Sequence, residues 1–131
     1  MSDFKHILKS VENFHDTFGL GFHETPKADI GEQTIALRHR LMAEENDEYL
    51  EAAMNNDLVQ VADALGDKLY ILCGTIIAHG LQHKIVEVFE EIHRSNMSKL
   101  DAEGNPIYRE DGKIMKSELY FVPDIDAVLN R

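Results

Sequence analysis

The sequence predicts an all-α protein, a four-helix-bundle-like fold with a short C-terminal hairpin and tail. Long segments with apolar residues at helical spacing follow one another through the first hundred residues, and the chain holds only 8 Gly and 3 Pro. The connections between these segments are short, so neighbouring helices are expected to run antiparallel. A chain of 131 residues is expected to form one domain over 1–131, with a helical core at about 3–99 and a tail at about 100–131.

The first two helices are predicted at residues 3–18 and 32–55. In the first, Phe4, Leu8 and Val11 repeat at the spacing of an amphipathic helix. The second contains strong helix formers (Leu, Met, Ala and Glu) and neither Pro nor Gly. Both segments are therefore expected to be long, regular helices.

Two more helices are predicted at residues 58–79 and 82–97. Asp57 is a suitable N-cap for the earlier one, because its carboxylate can accept from the first free backbone N–H groups. Beyond Asp67 this helix is apolar nearly all round, which is typical of a central, buried helix. Gly80 ends it, and the last of the four helices follows.

The character of the chain changes beyond residue 100. Ile107-Tyr108 and Ile114-Met115 flank Asp111-Gly112, a pair that favours a β-hairpin turn. Residues 124–130 are expected to add a short terminal helix. The tail is therefore predicted to be a hairpin followed by one helical turn or two.

Bulk properties exclude several classes of function. A net charge of −11 disfavours binding to nucleic acid polymers. No run of about 18 apolar residues is present, and the N-terminus lacks the apolar stretch of a secretory signal. The single cysteine, Cys73, lies in an apolar segment, which favours an inert core residue over a nucleophile and fits a reducing compartment. We expect a cytoplasmic protein that binds neither nucleic acid polymers nor membranes.

Carboxylates occupy helix positions where apolar side chains are expected. At about 100° per residue, Glu48 falls within the stripe that Leu37 and Ala52 define on the second helix. Asp63 falls within the apolar stripe of the third helix, and Asp67 borders it. The acids on or beside these stripes are Glu44, Glu45, Glu48, Asp63 and Asp67.

Two interpretations of these acids remain open. They are surface groups and the helical phase is wrong, or a multivalent cation neutralises them, because burying several unpaired carboxylates costs several kcal/mol each. Carboxylate oxygens suit Mg²⁺ or Mn²⁺. Residues 41–67 contain no Lys or Arg, whereas a solvated helix face commonly mixes both signs, and this favours the metal interpretation.

Polar groups for a phosphate-bearing ligand are predicted on two other helices. Asn96 and Lys99 continue the apolar stripe of the fourth helix, where they suit a base edge and a phosphate; the alternative is a frayed, solvated helix end. Arg38 is close in phase to Leu41, and it is either a phosphate ligand or a salt-bridge partner of the acids.

Four motifs resemble the MazG-like branch of the all-α NTP pyrophosphatase superfamily, in particular its dUTPase subgroup. They are EENDE (44–48), DALGDKLYILCG (63–74), VFEEIHRSNMSK (88–99) and DGKIMK (111–116). The superfamily signature is ExxE followed on the next helix by ExxD.

The signature is matched in three of its four acids. Glu45 and Glu48 match ExxE, and Asp67 matches the last acid of ExxD. Ala64 stands where the family usually has Glu, and Asp63 precedes it by one residue. The resemblance therefore leaves open whether Asp63 replaces the missing ligand.

The resemblance implies a housecleaning enzyme that uses Mg²⁺, with Mn²⁺ as an alternative, to hydrolyse a (d)NTP to the (d)NMP and pyrophosphate. It favours dUTP or another pyrimidine deoxynucleotide and a homodimer, with a tetramer as the alternative. Glu45 or Glu48 would be the general base. The implied metal ligands are Glu44, Glu45, Glu48, Asp63 and Asp67, and the implied substrate ligands are Arg38, Asn96, Lys99, Lys113 and Lys116.

Three alternatives accompany this interpretation. A phosphoribosyl-ATP-type pyrophosphohydrolase shares the fold. A helical binding module that has lost turnover would explain Ala64. Lys113 and Lys116 would then be ordinary solvated charges of a hairpin.

Overall fold

The computed structural model describes residues 3–131 and confirms the all-α class. The helices are α1 (Asp3–Thr17), α2 (Glu32–Met54), α3 (Leu58–Ala78), α4 (Ile85–Met97) and α5 (Ile125–Leu129), and the strands are β1 (Ile107–Tyr108) and β2 (Ile114–Met115). The predicted bounds agree to within one residue, except at the start of α4. Residues 82–84 form a turn instead, and in it the buried Gln82 side chain donates to the carbonyl oxygen of His23.

The chain divides into two compact units, Met1–His83 and Lys84–Arg131, called here the first and the second unit. In the first unit, α3 packs against both α1 and α2. Asp57 caps α3 as predicted, accepting from the backbone N–H of Gln60 at 3.2 Å. The single domain over residues 1–131 stays a prediction.

Burial along α3 is uneven. Cys73 and Ile77 are fully enclosed, and burial raises the pKa of the Cys73 thiol, so its prediction as an inert core residue is confirmed. The prediction of a central, buried helix is wrong in part, because beyond Asp67 the side chains of Leu69, Tyr70 and Leu72 are 37–43% exposed. Before Asp67, Leu58 and Val59 are 80% and 74% exposed.

A buried arginine joins α2 to α3. Arg38 donates from Nε to the Thr75 hydroxyl at 3.1 Å and from Nη2 to the Ile71 carbonyl at 2.7 Å. Burial lowers its pKa. Gly74 makes room for it, since a Cβ at that position would lie 2.4 Å from Arg38 Nη2 and 3.1 Å from His15 Nε2. A side chain at position 74 would therefore require the Arg38 guanidinium to move away from its hydrogen-bond partners.

Substituting Gly74→Ala is expected to lower the free energy of unfolding by about 1–2 kcal/mol, because the methyl group displaces a hydrogen-bonded guanidinium. Gly66→Ala on the same helix is the matched control. A Cβ at Gly66 meets no atom within 4 Å, so the higher helix propensity of Ala should raise stability by about 0.5–1 kcal/mol. Urea unfolding measures both variants, and equal shifts of the same sign would contradict the packing argument.

The second unit combines α4, the hairpin and α5. The hairpin is antiparallel, with Ile107 opposite Met115 and Tyr108 opposite Ile114, so the hairpin prediction is confirmed. Helix α5 packs on α4, and its Val128 is fully buried. Asp124 caps α5 by accepting from the backbone N–H of Ala127 at 3.1 Å.

A buried carboxylate holds the chain before α5 to α4. Glu91 is 6% exposed and accepts from the backbone N–H of Asp124 at 2.7 Å and from Arg94 Nε at 3.0 Å. The hydrogen bond from Asp124, and then that from Arg94, lower the pKa of Glu91. The charged form of Glu91 is therefore the one that the fold stabilises.

The lowered pKa of Glu91 predicts a loss of stability in acid. Its contribution is complete above the pKa of an unfolded Glu, about 4.3, and disappears as pH falls through the lower pKa of the folded state. We expect Glu91→Gln to destabilise the protein at neutral pH and to flatten the pH dependence below about 4.3. Glu90→Gln, at an exposed neighbouring position, is the control for urea unfolding across this pH range.

Candidate metal centre

The face of α2 that packs on α3 is marked by three residues spaced seven positions apart, Arg38, Glu45 and Ala52. Arg38 and Ala52 are buried, and between them Glu45 is half-buried. Seven residues are nearly two turns, so the three side chains share one face. The expectation that Glu48 lies at the centre of this face is wrong, because Glu48 is exposed and Glu45, about 60° away, takes that place. Leu37, which set the predicted phase, is itself exposed.

Three carboxylates from α2 and α3 converge. Oxygen atoms of Glu45, Glu48 and Asp67 lie within 4.8 Å of one another. Glu45 and Glu48 are one turn apart on α2, and Asp67 comes from α3. We call these three residues the acidic cluster. Its all-oxygen donor set is the one that Mg²⁺ and Mn²⁺ prefer.

Glu45 is the member of the acidic cluster that least tolerates a negative charge. Its Oε2 atom is enclosed and has no hydrogen-bond partner. Burial raises the pKa of Glu45; the charge of Glu48 and a hydrogen bond shared with it, and then the charges of Asp67 and Asp63, raise it further. A cation between these carboxylates would pair the orphaned oxygen and offset the repulsion, so the residues fit a bound divalent metal.

Glu48 and Asp67 also line an open cleft of about 510 Å³. Its walls are α2, α3 and the turn that joins them. The other acids in the lining are Glu51, Asp57 and Asp63, and the described lining residues include no lysine, arginine or histidine. An anionic ligand in this cleft therefore requires cations, or basic groups from elsewhere.

Ala64 and Asp63 occupy different places in this cleft. Ala64 is 3% exposed and lies in the lining, so the acid that the family usually has here is replaced by a methyl group at an enclosed position. Asp63 is exposed and also lines the cleft. Its charge reaches Glu45 but its carboxylate is outside the acidic cluster. The replacement of the missing acid by Asp63 stays a prediction.

Two of the predicted site residues on α2 lie away from the acidic cluster. Glu44 is exposed and pairs with Arg40 at 3.9 Å. Arg38 is buried, and it precedes Glu45 by seven residues, about 10.5 Å along the helix axis. Its guanidinium donates hydrogen bonds to Thr75 and Ile71 of α3, as described above. The structure therefore places Arg38 in the packing between the helices.

The remaining predicted substrate ligands all belong to the second unit. Asn96 is exposed on α4, and Lys99 is half-buried just beyond the end of this helix. Lys113 is exposed at the start of β2. Lys116 follows β2, and its ammonium group lies 4.7 Å from the centre of the Tyr120 ring. Their role as substrate ligands stays a prediction.

Sequence reasoning missed several polar groups around the cluster. Lys68 Nζ donates to Asn46 Oδ1 at 2.7 Å and thereby joins α3 to α2 beside the carboxylates. The amide side chains of Asn55 and Gln60 line the cleft. The positions of Lys68 and Asn46 next to Asp67 and Glu45 in the two motifs were the available signal.

Comparison with protein families identifies the family to which the chain belongs. A family model described as phosphoribosyl-ATP pyrophosphohydrolase matches residues 11–96, well over half of the chain. The chain belongs to the phosphoribosyl-ATP pyrophosphohydrolase family. The match confirms the all-α NTP pyrophosphatase superfamily that the motifs indicated, and does not distinguish the dUTPase subgroup. No curated protein matches the chain.

Membership of this pyrophosphohydrolase family accounts for the acidic cluster. The matched segment contains the whole cluster and every residue of the cleft, and it ends before the hairpin. Members of the family are typically dependent on a divalent metal, and the three carboxylates are suitable ligands for one. Within residues 3–131, none of the helices is both long and apolar enough to cross a membrane.

Proposed function

We propose that the protein hydrolyses a nucleoside triphosphate to the monophosphate and pyrophosphate, with Mg²⁺ as the metal and Mn²⁺ as a substitute. The observation that carries the proposal is the acidic cluster with the unpartnered Oε2 of Glu45, in a chain of a pyrophosphohydrolase family. Such an oxygen is costly unless a cation neutralises it. Metal binding explains how the fold tolerates this arrangement.

Glu45, Glu48 and Asp67 would hold the metal, with Asp63 at the edge of the same cleft. A bound divalent ion supplies Lewis acidity to phosphate oxygens and lowers the pKa of a bound water. The protein holds the three ligands on two packed helices, and rigid helices fix ligand positions better than loops do.

Glu48 is our choice for the general base. It lines the cleft and is exposed, so its carboxylate can reach a water molecule and accept its proton. Glu45 has an enclosed oxygen and does not line the cleft, which suits a ligand better than a proton acceptor. The sequence alone left this role open between the two residues.

We propose that Lys99, Lys113 and Lys116 bind substrate phosphates and that Asn96 binds the base edge. A lysine ammonium carries three donors and a compact charge, which suits a polyphosphate. The support is the position of these residues in motifs that resemble those of the superfamily.

Two substrates are favoured by different observations. The motifs resemble those of the MazG-like dUTPase subgroup, which favours dUTP or another pyrimidine deoxynucleotide. The description of the matching family favours phosphoribosyl-ATP. Both carry a triphosphate whose hydrolysis releases pyrophosphate, so the same site chemistry serves either one. We propose dUTP as the first candidate.

A pyrophosphate-release screen tests the proposal. Each common NTP and dNTP and phosphoribosyl-ATP is incubated with the protein in Mg²⁺, in Mn²⁺ and in chelator. We expect release that requires a divalent metal, with the highest kcat/KM for dUTP. The highest value for phosphoribosyl-ATP would favour the second candidate, and no release with any nucleotide and metal would favour a non-catalytic helical module and overturn the enzyme proposal.

We also propose that the protein is a homodimer. The support is the apolar surface that the first unit leaves exposed on α2 and α3, where Leu50, Met54, Leu58 and Val59 are between 58% and 80% exposed. Large apolar side chains that are exposed at the end of α2 and the start of α3 favour an association site there. Light scattering coupled to size exclusion should give twice the chain mass of 14.9 kDa. A monomer at micromolar concentration would contradict the proposal.

A further inference from the structure

The hairpin of the second unit makes few contacts of its own. Every residue in 102–116 is exposed. The segment is nevertheless internally ordered by short-range bonds. Arg109 pairs with Asp111, whose Oδ1 also accepts from the backbone N–H of Lys113 at 3.1 Å. Because no other element within residues 3–131 covers the hairpin, its position depends on how the chain on either side of it is attached.

The chain that follows the hairpin is attached to Ser98, which caps the C-terminal end of α4. The Ser117 hydroxyl donates to the Ser98 carbonyl at 3.0 Å, and the Phe121 backbone N–H donates to Ser98 Oγ at 3.1 Å. Ser98 Oγ in turn donates to the Ser95 carbonyl. The chain therefore leaves α4 at Ser98 and returns to it after the hairpin.

A second serine reinforces the return of the chain. Ser95 is 2% exposed, and its hydroxyl donates to the Phe121 carbonyl at 2.7 Å. Phe121 is thus held through its N–H by Ser98 and through its carbonyl by Ser95. The Arg94 guanidinium lies 4.5 Å from the centre of the Phe121 ring, which adds a cation–π contact. Ser95, Ser98, Ser117 and Phe121 are called here the serine clasp.

We propose that Ser98 is a positioning residue: through the serine clasp it fixes the base of the hairpin and so sets where Lys113 and Lys116 meet the substrate phosphates. This inference rests on the proposed function. The two lysines flank β2, and Lys116 is separated from Ser117 by a single peptide bond. The chain that follows Lys116 is held to Ser98 at two points, because Ser117 bonds to the Ser98 carbonyl and Phe121 bonds to the Ser98 hydroxyl. Loss of the hydroxyl therefore frees the second of these points.

The role of Ser98 predicts a change in substrate affinity without a change in the chemical step. The Ser98 hydroxyl touches other parts of the protein and not the acidic cluster. Ser98→Ala is expected to raise KM roughly fivefold, the factor that corresponds to one lost hydrogen bond, while kcat changes by less than about twofold. Ser98→Thr keeps the hydroxyl and should restore KM.

The experiment combines hydrogen exchange with kinetics. In Ser98→Ala the amide of Phe121 loses its acceptor and should exchange faster than in the wild type, in metal-free protein and without any nucleotide. KM is then measured in Ser98→Ala, in Lys113→Ala/Lys116→Ala and in the combined variant. If Ser98 acts through the lysines, the combined variant should have the same KM as the Lys113→Ala/Lys116→Ala variant. Ser10→Ala, which removes a hydroxyl bonded to the His6 carbonyl on α1, is the control.

The measurements test the serine clasp, the positioning role of Ser98 and the proposed function separately. Unchanged exchange at Phe121 overturns the clasp. Faster exchange with unchanged KM, or with a fivefold rise in KM that persists in the lysine variant, overturns the positioning role. Absence of pyrophosphate release from the wild-type protein overturns the proposed function and the positioning role with it, while the exchange measurement still tests the clasp.

Discussion

Substituting Glu48→Gln is expected to lower kcat/KM for pyrophosphate release by at least about a hundredfold. The substitution keeps the size of the side chain, but it removes one negative ligand of the acidic cluster and the carboxylate proposed as general base. Loss of a positioned proton acceptor alone commonly costs two orders of magnitude or more. Initial rates over a range of Mg²⁺ concentrations separate weaker metal binding from slower chemistry.

Glu44→Gln is the matched control for this substitution. Glu44 is on the same helix, one turn before Glu48, but it pairs with Arg40 and is outside the acidic cluster. Its loss should change kcat/KM by less than about threefold, because an exposed ion pair contributes little. Equal losses in the two variants would contradict the assignment of the cluster, and full activity of Glu48→Gln would contradict the role of Glu48.

Substituting Glu45→Gln is expected to raise the stability of the metal-free protein and to reduce the stabilisation that Mn²⁺ provides. Without metal, the variant should be more stable than the wild type, because it removes a charge that burial and the neighbouring carboxylates disfavour. In Mn²⁺ at a hundred times the dissociation constant, the wild type should gain about 2.7 kcal/mol of unfolding free energy. The variant should gain far less, because it has lost a ligand.

Urea unfolding in chelator and in Mn²⁺ measures both effects. Glu51→Gln is the control, since Glu51 lines the cleft but is outside the acidic cluster and should leave the Mn²⁺ response close to that of the wild type. A Glu45→Gln variant that is less stable without metal would contradict the electrostatic cost assigned to this charge. A variant that gains as much from Mn²⁺ as the wild type would show that Glu45 does not bind the ion.

The elements of the fold could be predicted from sequence because each has a strong local cause. Helix α2 contains strong helix formers and no breaker, and Asp57 supplies a cap for α3. The pair Asp111-Gly112 between two apolar pairs was sufficient to predict the hairpin. The start of α4 was missed because the Gln82 side chain bonds to His23, a contact between distant parts of the chain.

The residues of the candidate site could be predicted from the sequence, but the buried face of α2 could not. The predicted buried face of α2 was set by the apolar residues Leu37 and Leu41. The face that is buried contains Arg38 instead, whose guanidinium forms hydrogen bonds to α3. A polar residue buried by tertiary hydrogen bonds leaves no mark in the apolar periodicity. The helical Gly74, which makes room for Arg38, was the one local sign of this close approach.

The serines of the SNMSK motif show a similar limit. The motif drew attention to Asn96 and Lys99 as groups for a substrate, while the structure shows that Ser95 and Ser98 attach the hairpin to α4. Hydroxyl groups that bond to backbone are among the commonest side-chain hydrogen bonds, and their partners lie far along the chain here. Only the folded structure reveals which groups they join.

The most direct test of the account is to identify the products of a complete Mg²⁺-dependent reaction by ³¹P NMR. We expect one pyrophosphate and one nucleoside monophosphate for each triphosphate consumed by the wild type, and no product when chelator replaces Mg²⁺. Orthophosphate together with a nucleoside diphosphate, or equal turnover in chelator, would contradict a metal-dependent pyrophosphohydrolase centred on Glu45, Glu48 and Asp67.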